Sequence, residues 1–128
     1  MRTIAISVQN TLLSDAIVMC LKERAELRVQ RLLPQQMPDA VGICRTIQAR
    51  VLLMEVTRIP PFTLPERLAI AAAIQAALPS CRIALLCDER ADADLAEQIK
   101  TAKQFGKIDA FFYASVSAQY LAAMLDTL

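Results

Sequence analysis

Histidine and tryptophan do not occur in this chain, and glycine occurs only at Gly42 and Gly106. Without histidine there can be no Ser-His-Asp or Cys-His relay, and the commonest zinc partner is missing. With so little glycine, neither G-x-G-x-x-G nor G-x-x-x-x-G-K-[ST] can be written. The stretch "VQNTLLSD" likewise has no glycine with which backbone amides could cradle a phosphate. Dinucleotide and NTP chemistry are therefore disfavoured. Charge of one sign is scarce too: 14 basic and 13 acidic residues leave +1 and form no block. That balance implies no direct nucleic-acid contact and no anionic membrane surface. The longest apolar stretch, Leu68 to Leu78, is interrupted by Gln75 and falls well short of the roughly 20 residues that span a bilayer. Ser7, Gln9, Asn10 and Thr11 break up any apolar segment after Met1 and Arg2, so no secretory signal is expected and the expected location is the cytoplasm.

The hydrophobic fraction is 55 % of 128 residues, enough for one well-packed domain spanning 1–128 and too short for two. Cys20, Cys44, Cys81 and Cys87 form no C-x-x-C pair and lie in apolar segments, where a thiol behaves as a small hydrophobe. Buried thiols are expected rather than a disulfide or a metal site, and no cofactor is implied.

Strand-length apolar runs occur at Thr3–Val8, Leu27–Leu33, Val51–Val56, Arg82–Cys87 and Ala110–Ala114, with helical periodicity between them. Leu13, Ala16, Ile17, Cys20 and Leu21 share a face of a helix over Thr11–Arg24. A second helix is expected near Pro38–Gln48, with Pro38 in its first turn. Thr63-Leu64-Pro65-Glu66 has the pattern of a capping box opening a third helix, which Pro79 ends. Asp92 is an N-cap candidate for a fourth, closed by Lys100, Lys103 and Gly106, and Ser117 for a fifth. Five βα units in succession predict a parallel sheet covered on both faces, a flavodoxin-like three-layer sandwich. "VLLMEV" and "IALLC" read as central strands, whereas "LRVQRLL" alternates as an edge strand does, so the predicted strand order is the doubly wound 2-1-3-4-5.

In this segmentation "ISVQNTLLSDAIVMCL", "VLLMEVTRIP" and "FFYASVSAQYLAAML" resemble the first strand and helix, the third strand and the fifth strand and helix of response regulator receiver domains (CheY-like). The resemblance implies a bacterial two-component signalling module, not an enzyme, that pairs with a protein partner or with a second copy. It also implies either the N-terminal part of a longer transcription regulator, with a C-terminal DNA-binding output domain outside this chain, or a stand-alone partner. Typical receivers carry an acidic pair after strand 1, a phosphate-accepting aspartate ending strand 3, a Ser/Thr ending strand 4 and a lysine ending strand 5. Those positions fall here on Val8 and Gln9, on Glu55, on Cys87 and on Ala114.

Mg²⁺ takes oxygen ligands, and phosphoryl transfer needs cations on the equatorial oxygens, so losing the acids and the lysine together predicts a degenerate pseudo-receiver that signals without conventional Asp phosphorylation. Glu55 is then either a standing mimic of the phosphorylated state or a solvated strand-end acid paired with Arg58. Cys87 is either a redox thiol or, since Asp88 and Glu89 would raise its pKa, a core residue. Phe111, Tyr113 and Tyr120, with Phe112, mark the expected interaction surface. The alternative function is a flavodoxin-like protein binding a small ligand in the same crevice through Glu55, Gln9, Asn10 and Thr57.

Overall fold

The computed structural model describes residues 1–128. The five apolar runs become strands β1 (Arg2–Ser7), β2 (Leu27–Arg31), β3 (Ala49–Glu55), β4 (Arg82–Cys87) and β5 (Ala110–Tyr113). They form one parallel sheet in the order β2-β1-β3-β4-β5, as the apolar pattern predicts. Because successive side chains leave a strand on opposite faces, each central strand feeds two cores. Ile4, Ile6, Val51, Leu53, Ala84, Leu86 and Phe112 face one side. Ala5, Leu52, Met54, Ile83, Leu85 and Cys87 face the other. Each buried Leu or Ile contributes about 1.5–3 kcal/mol. In β2 only Leu27 is buried while Arg28, Gln30 and Arg31 are exposed, which suits the sheet's edge.

Helices α1 (Thr11–Lys22) and α5 (Ala118–Thr127) cover the first face with Ile17, Val18, Leu21, Leu121, Ala122 and Leu125. Helices α2 (Ala40–Ile47), α3 (Leu64–Ala77) and α4 (Ala93–Gln104) cover the second. The apolar stretch Leu68–Leu78 falls in and just beyond α3, and no helix is long and apolar enough to cross a membrane.

Several helix starts follow from the residues that precede them. The carboxylate of Asp92 accepts from the Leu95 amide at 3.0 Å, and the Ser117 hydroxyl accepts from the Tyr120 amide at 3.0 Å. Asn10 caps α1 in the same way, accepting from Leu13 at 3.1 Å. Gly106, at φ 73°, follows α4 in the left-handed region that its position requires.

Two expected starts differ. Pro38 does not open α2: residues Pro34–Asp39 form a 3₁₀ segment containing it, and the α-helix begins at Ala40. A proline disfavours the α conformation in the residue before it, which keeps Met37 and its neighbours in the tighter winding. The capping box at Thr63 does not form either. Thr63 stands at the N-cap, but its hydroxyl donates to the Glu66 carboxylate at 2.6 Å instead of accepting from a backbone amide.

Two acidic residues tie distant segments together. Asp109 accepts from the Ile83 amide at 2.8 Å and returns its own amide to the Ile83 carbonyl at 2.9 Å, aligning the start of β4 with β5. Asp126 in α5 accepts from the guanidinium groups of Arg2 in β1 and Arg24 just after α1, the latter at 2.8 Å. Burial works against the ionised Asp126, but those two guanidinium groups outweigh it and hold its carboxyl below the usual range. All four thiols are free: Cys44, Cys81 and Cys87 are buried as the apolar context predicts, and Cys20 is half-buried.

Candidate functional site

In a doubly wound parallel sheet all strands end on one edge, and the crevice opens where the chain reverses direction across the sheet, between β1 and β3. Glu55, the last residue of β3, stands there. Its Oε1 accepts from the backbone amides of Gln9 at 2.7 Å and Asn10 at 3.1 Å, so a β3 carboxylate closes the turn that leads into α1. A carboxylate beside a helix N-terminus is favoured by the partial positive charge of the free amides.

The expected pairing of Glu55 with Arg58 does not occur. Arg58 instead donates from Nε and Nη2 to the two oxygens of Asp92, at 2.6 and 3.1 Å. The loop that carries Arg58 turns it toward the start of α4, away from β1. The Arg58 bonds first, and the Leu95 amide second, hold the Asp92 carboxyl below the usual range.

Beneath Glu55 lies a residue that the sequence reading did not single out. Arg67, in the first turn of α3, is 0 % exposed. Its Nε donates to the Glu55 carbonyl at 2.8 Å, and its Nη2 donates to the Ser7 carbonyl at 3.1 Å and the Ser7 hydroxyl at 2.9 Å. The guanidinium carbon sits 4.8 Å from the centre of the Phe62 ring, a cation–π contact. Met37 completes the enclosure, its sulfur accepting from the Ser7 hydroxyl at 3.4 Å. Burial pushes the guanidinium down to about 10, opposed by the charges of Glu55 and Glu66, so it stays protonated at neutral pH. A signal was present: Leu64, Arg67, Ala71 and Ile74 recur at helical spacing as the buried stripe of α3, with the arginine in line.

The other positions singled out from the sequence, Val8, Gln9, Cys87 and Ala114, lie at or just beyond the ends of β1, β4 and β5. Val8 is half-buried against the α1 and α5 side of the core, and Gln9 is exposed and contributes its amide. Cys87, 1 % exposed, is a core thiol. Burial, then the charges of Glu89, Asp88 and Asp92, push it up to about 11. Ala114 meets it through the backbone, its amide donating to the Cys87 carbonyl at 2.8 Å. Asp88 turns its carboxylate to the amides of Arg90 and Ala91, and the Thr57 hydroxyl accepts from the Ile59 amide at 3.1 Å. Glu55, Asp88 and Thr57 are thus engaged with the backbone of the chain itself, whereas both carboxylate oxygens of Glu89, in the loop after β4, are buried without a partner. No cluster of three His, Cys, Asp or Glu residues is placed to hold a metal ion.

Phe111, Tyr113 and Tyr120 come together elsewhere, on the face formed by α4, β5 and α5. The rings of Phe111 and Tyr113 lie 5.7 Å apart at 55°. With Lys103, Tyr120 and Met124 they line an apolar groove of about 360 Å³, and Tyr120 is 52 % exposed.

No family model and no curated protein matches the sequence. Solved structures do match its fold over nearly the whole chain. A CheY-like protein (tadZ) from Pseudomonas aeruginosa superposes with TM-score 0.74 at 16% identity, covering 99% of this chain and 98% of that one. The inactive form of the regulatory domain of the repressor of iron transport regulator (RitR) gives 0.75 at 16% identity, with 99% and 94% covered. A LuxR family DNA-binding response regulator from Staphylococcus aureus gives 0.72 at 14% identity, with 99% and 98% covered. The fold is that of CheY-like receiver domains.

Proposed function

We propose that this chain is a cytoplasmic receiver-type signalling module that works without conventional Asp phosphorylation, engaging a protein partner or a second copy through the face of α4, β5 and α5. The observation that carries the reading is the state of the crevice. Where a receiver would present an aspartate to phosphate and metal, Glu55 is bonded to the Gln9 and Asn10 amides, and the Arg67 guanidinium is built in beneath it. A carboxylate held by helix-terminal amides, over a fixed cation, reproduces within the chain the charge arrangement that a phosphorylated site and its cations would supply. A permanently set conformation then acts through its aromatic face, and a DNA-binding output, as named for the Staphylococcus aureus neighbour, is the class of partner domain this reading favours.

The test combines intact mass with light scattering. After incubation with Mg²⁺ and acetyl phosphate, wild type and Glu55→Asp should both remain unmodified, since Val8, Gln9 and Ala114 supply neither metal ligand nor ammonium. Self-association should weaken in Tyr120→Arg while the fold is kept, or, if wild type is monomeric, binding to its partner should weaken. A stoichiometric phosphoryl adduct on wild type would overturn the reading.

A further inference from the structure

The near-balance of charge in the whole chain conceals how the fold distributes it. In a parallel sheet all strands begin at one edge, and the helices that return the chain end there too. Four of the five strands place an arginine at their first or second residue: Arg2, Arg28, Arg50 and Arg82. Three helices carry a cation in their last turn, Lys22 in α1, Arg45 in α2 and Lys103 in α4. Lys100 lies one turn earlier in α4, and Lys107 follows the helix, its carbonyl accepting from the Gln75 side chain of α3 at 3.2 Å. The edge opposite the Glu55 crevice is therefore basic.

The acids at this edge do not neutralise it. Asp126 is taken by Arg2 and Arg24, and Asp109 faces Arg82 at 3.6 Å, which leaves Glu23 and Glu26 in the turn between α1 and β2. Arg28, Arg45, Arg50, Lys100, Lys103 and Lys107 are exposed and enter no ion pair. The negative ends of the helix dipoles account for Arg45 and Lys103. They do not account for Arg28 and Arg50, because strands have little net dipole. Between Lys103 and Lys107, in the turn that leaves α4, the ring of Phe105 is 76 % exposed.

We propose that this edge docks on a lipid bilayer rich in anionic headgroups, its unpaired arginines and lysines among the phosphates and Phe105 at the boundary with the acyl chains. The cations sit where parallel elements begin and end, in a band roughly 20 Å across five strands, which matches a flat anionic surface. An exposed aromatic ring among lysines favours the interfacial zone of a bilayer over a nucleic-acid duplex, where backbone phosphates reward only the cations. Each Lys or Arg near such a surface raises binding about fivefold. Tyr120 lies in the first turn of α5, at the other end of that helix, and stays open to a partner while the basic edge is docked.

The test is co-sedimentation of the whole chain with vesicles of phosphatidylglycerol and phosphatidylcholine in equal parts. Pure phosphatidylcholine vesicles are the control, and a labelled DNA duplex, read by fluorescence anisotropy, is the competing arm. Binding is expected to the mixed vesicles alone, and it should fall as salt rises from about 0.05 to about 0.5 M. Arg50→Gln and Lys107→Gln, both at exposed positions, should each weaken it about fivefold, and together about twenty-fivefold. Phe105→Ser should weaken it by a part that salt does not alter. Arg90→Gln changes net charge equally, but in the exposed loop after β4 at the crevice edge, and should leave binding as it is. No binding to the mixed vesicles at low salt, equal binding to pure phosphatidylcholine, binding of the duplex without the vesicles, or equal losses in Arg90→Gln and Arg50→Gln would overturn the proposal.

Discussion

The guanidinium of Arg67 and the hydroxyl of Ser7 meet at 2.9 Å beneath the mouth of the sheet, both buried, although they lie 60 residues apart in sequence. Through this contact, and the companion bond to the Glu55 carbonyl, the first turn of α3 is fastened to the ends of both β1 and β3. The strand ends that flank the crevice are therefore held by one side chain, and their spacing depends on it.

Replacing Arg67 tests that dependence. Arg67→Met keeps the bulk but leaves the Ser7 and Glu55 carbonyls without a side-chain donor, and a buried acceptor so orphaned costs roughly 1–3 kcal/mol. Urea unfolding should report a loss of several kcal/mol. Arg67→Lys should recover only part of it, because an ammonium cannot serve three acceptors in the geometry of a planar fork. A loss below about 1 kcal/mol in the methionine variant would mean that the network contributes little.

Glu55 should act as a cap. Glu55→Ala removes the acceptor for the Gln9 and Asn10 amides; these are exposed, so water substitutes in part and the cost should be about 0.5–2 kcal/mol. Glu55→Gln keeps an accepting oxygen and should cost less. Hydrogen exchange at Gln9 and Asn10 gives the direct readout: protection should fall in the alanine variant, and equal protection in both proteins would remove Glu55 from this role.

The buried thiols make the fold sensitive to alkali. Burial holds Cys44 and Cys87 up at about 11 and, together with the charges of Cys44 and Asp109, Cys81 at about 12. Thiols in the unfolded chain release their protons near 8.5, so the unfolded state gives up protons first as pH rises. The thiol contribution to stability is complete below about 8.5 and is lost between there and about 11–12. Urea midpoints should fall between pH 7 and pH 10, less steeply in Cys44→Ala. At pH 8 iodoacetamide should modify half-buried Cys20 well before the others; equal rates at all four thiols would contradict the buried placement.

The Arg58–Asp92 pair predicts a small effect of opposite sense. The Asp92 carboxyl is held low in the folded protein, so its contribution is present above about 3.9, the unfolded value, and disappears as pH falls below it. NMR titration of Asp92 should show its pKa moving up in Arg58→Ala. It should also move up in wild type at high salt, since both partners face solvent. A titration unaffected by either change would indicate that the Leu95 amide alone sets it.

Much of the architecture was legible because each element carries its own periodicity. Continuous apolar runs marked β3 and β4 as central, alternation marked β2 as an edge, and Asp92 and Ser117 announced α4 and α5. What escaped depends on partners remote in sequence. Nothing near Glu55 indicates that its carboxylate reaches back 46 residues to the Gln9 amide, or that Arg58 reaches forward 34 to Asp92. Arg67 was overlooked for a different reason. A charged residue is ordinarily read as solvated, although its register with Leu64, Ala71 and Ile74 placed it inward. At Thr63 the local pattern misled, because hydroxyl and carboxylate found one another before either found the backbone.

The clasp of Arg2 and Arg24 on Asp126 joins residues at opposite extremes of the chain. Residues 2 and 126 are neighbours in space, so only a narrow gap separates the start of β1 from the end of α5. A short peptide bridging the gap, with a fresh cut in the exposed turn at Phe105–Lys107, would reorder the covalent sequence and leave the spatial order of the strands as it is. Shortening the chain by a few residues at either end, by contrast, loosens both ends together.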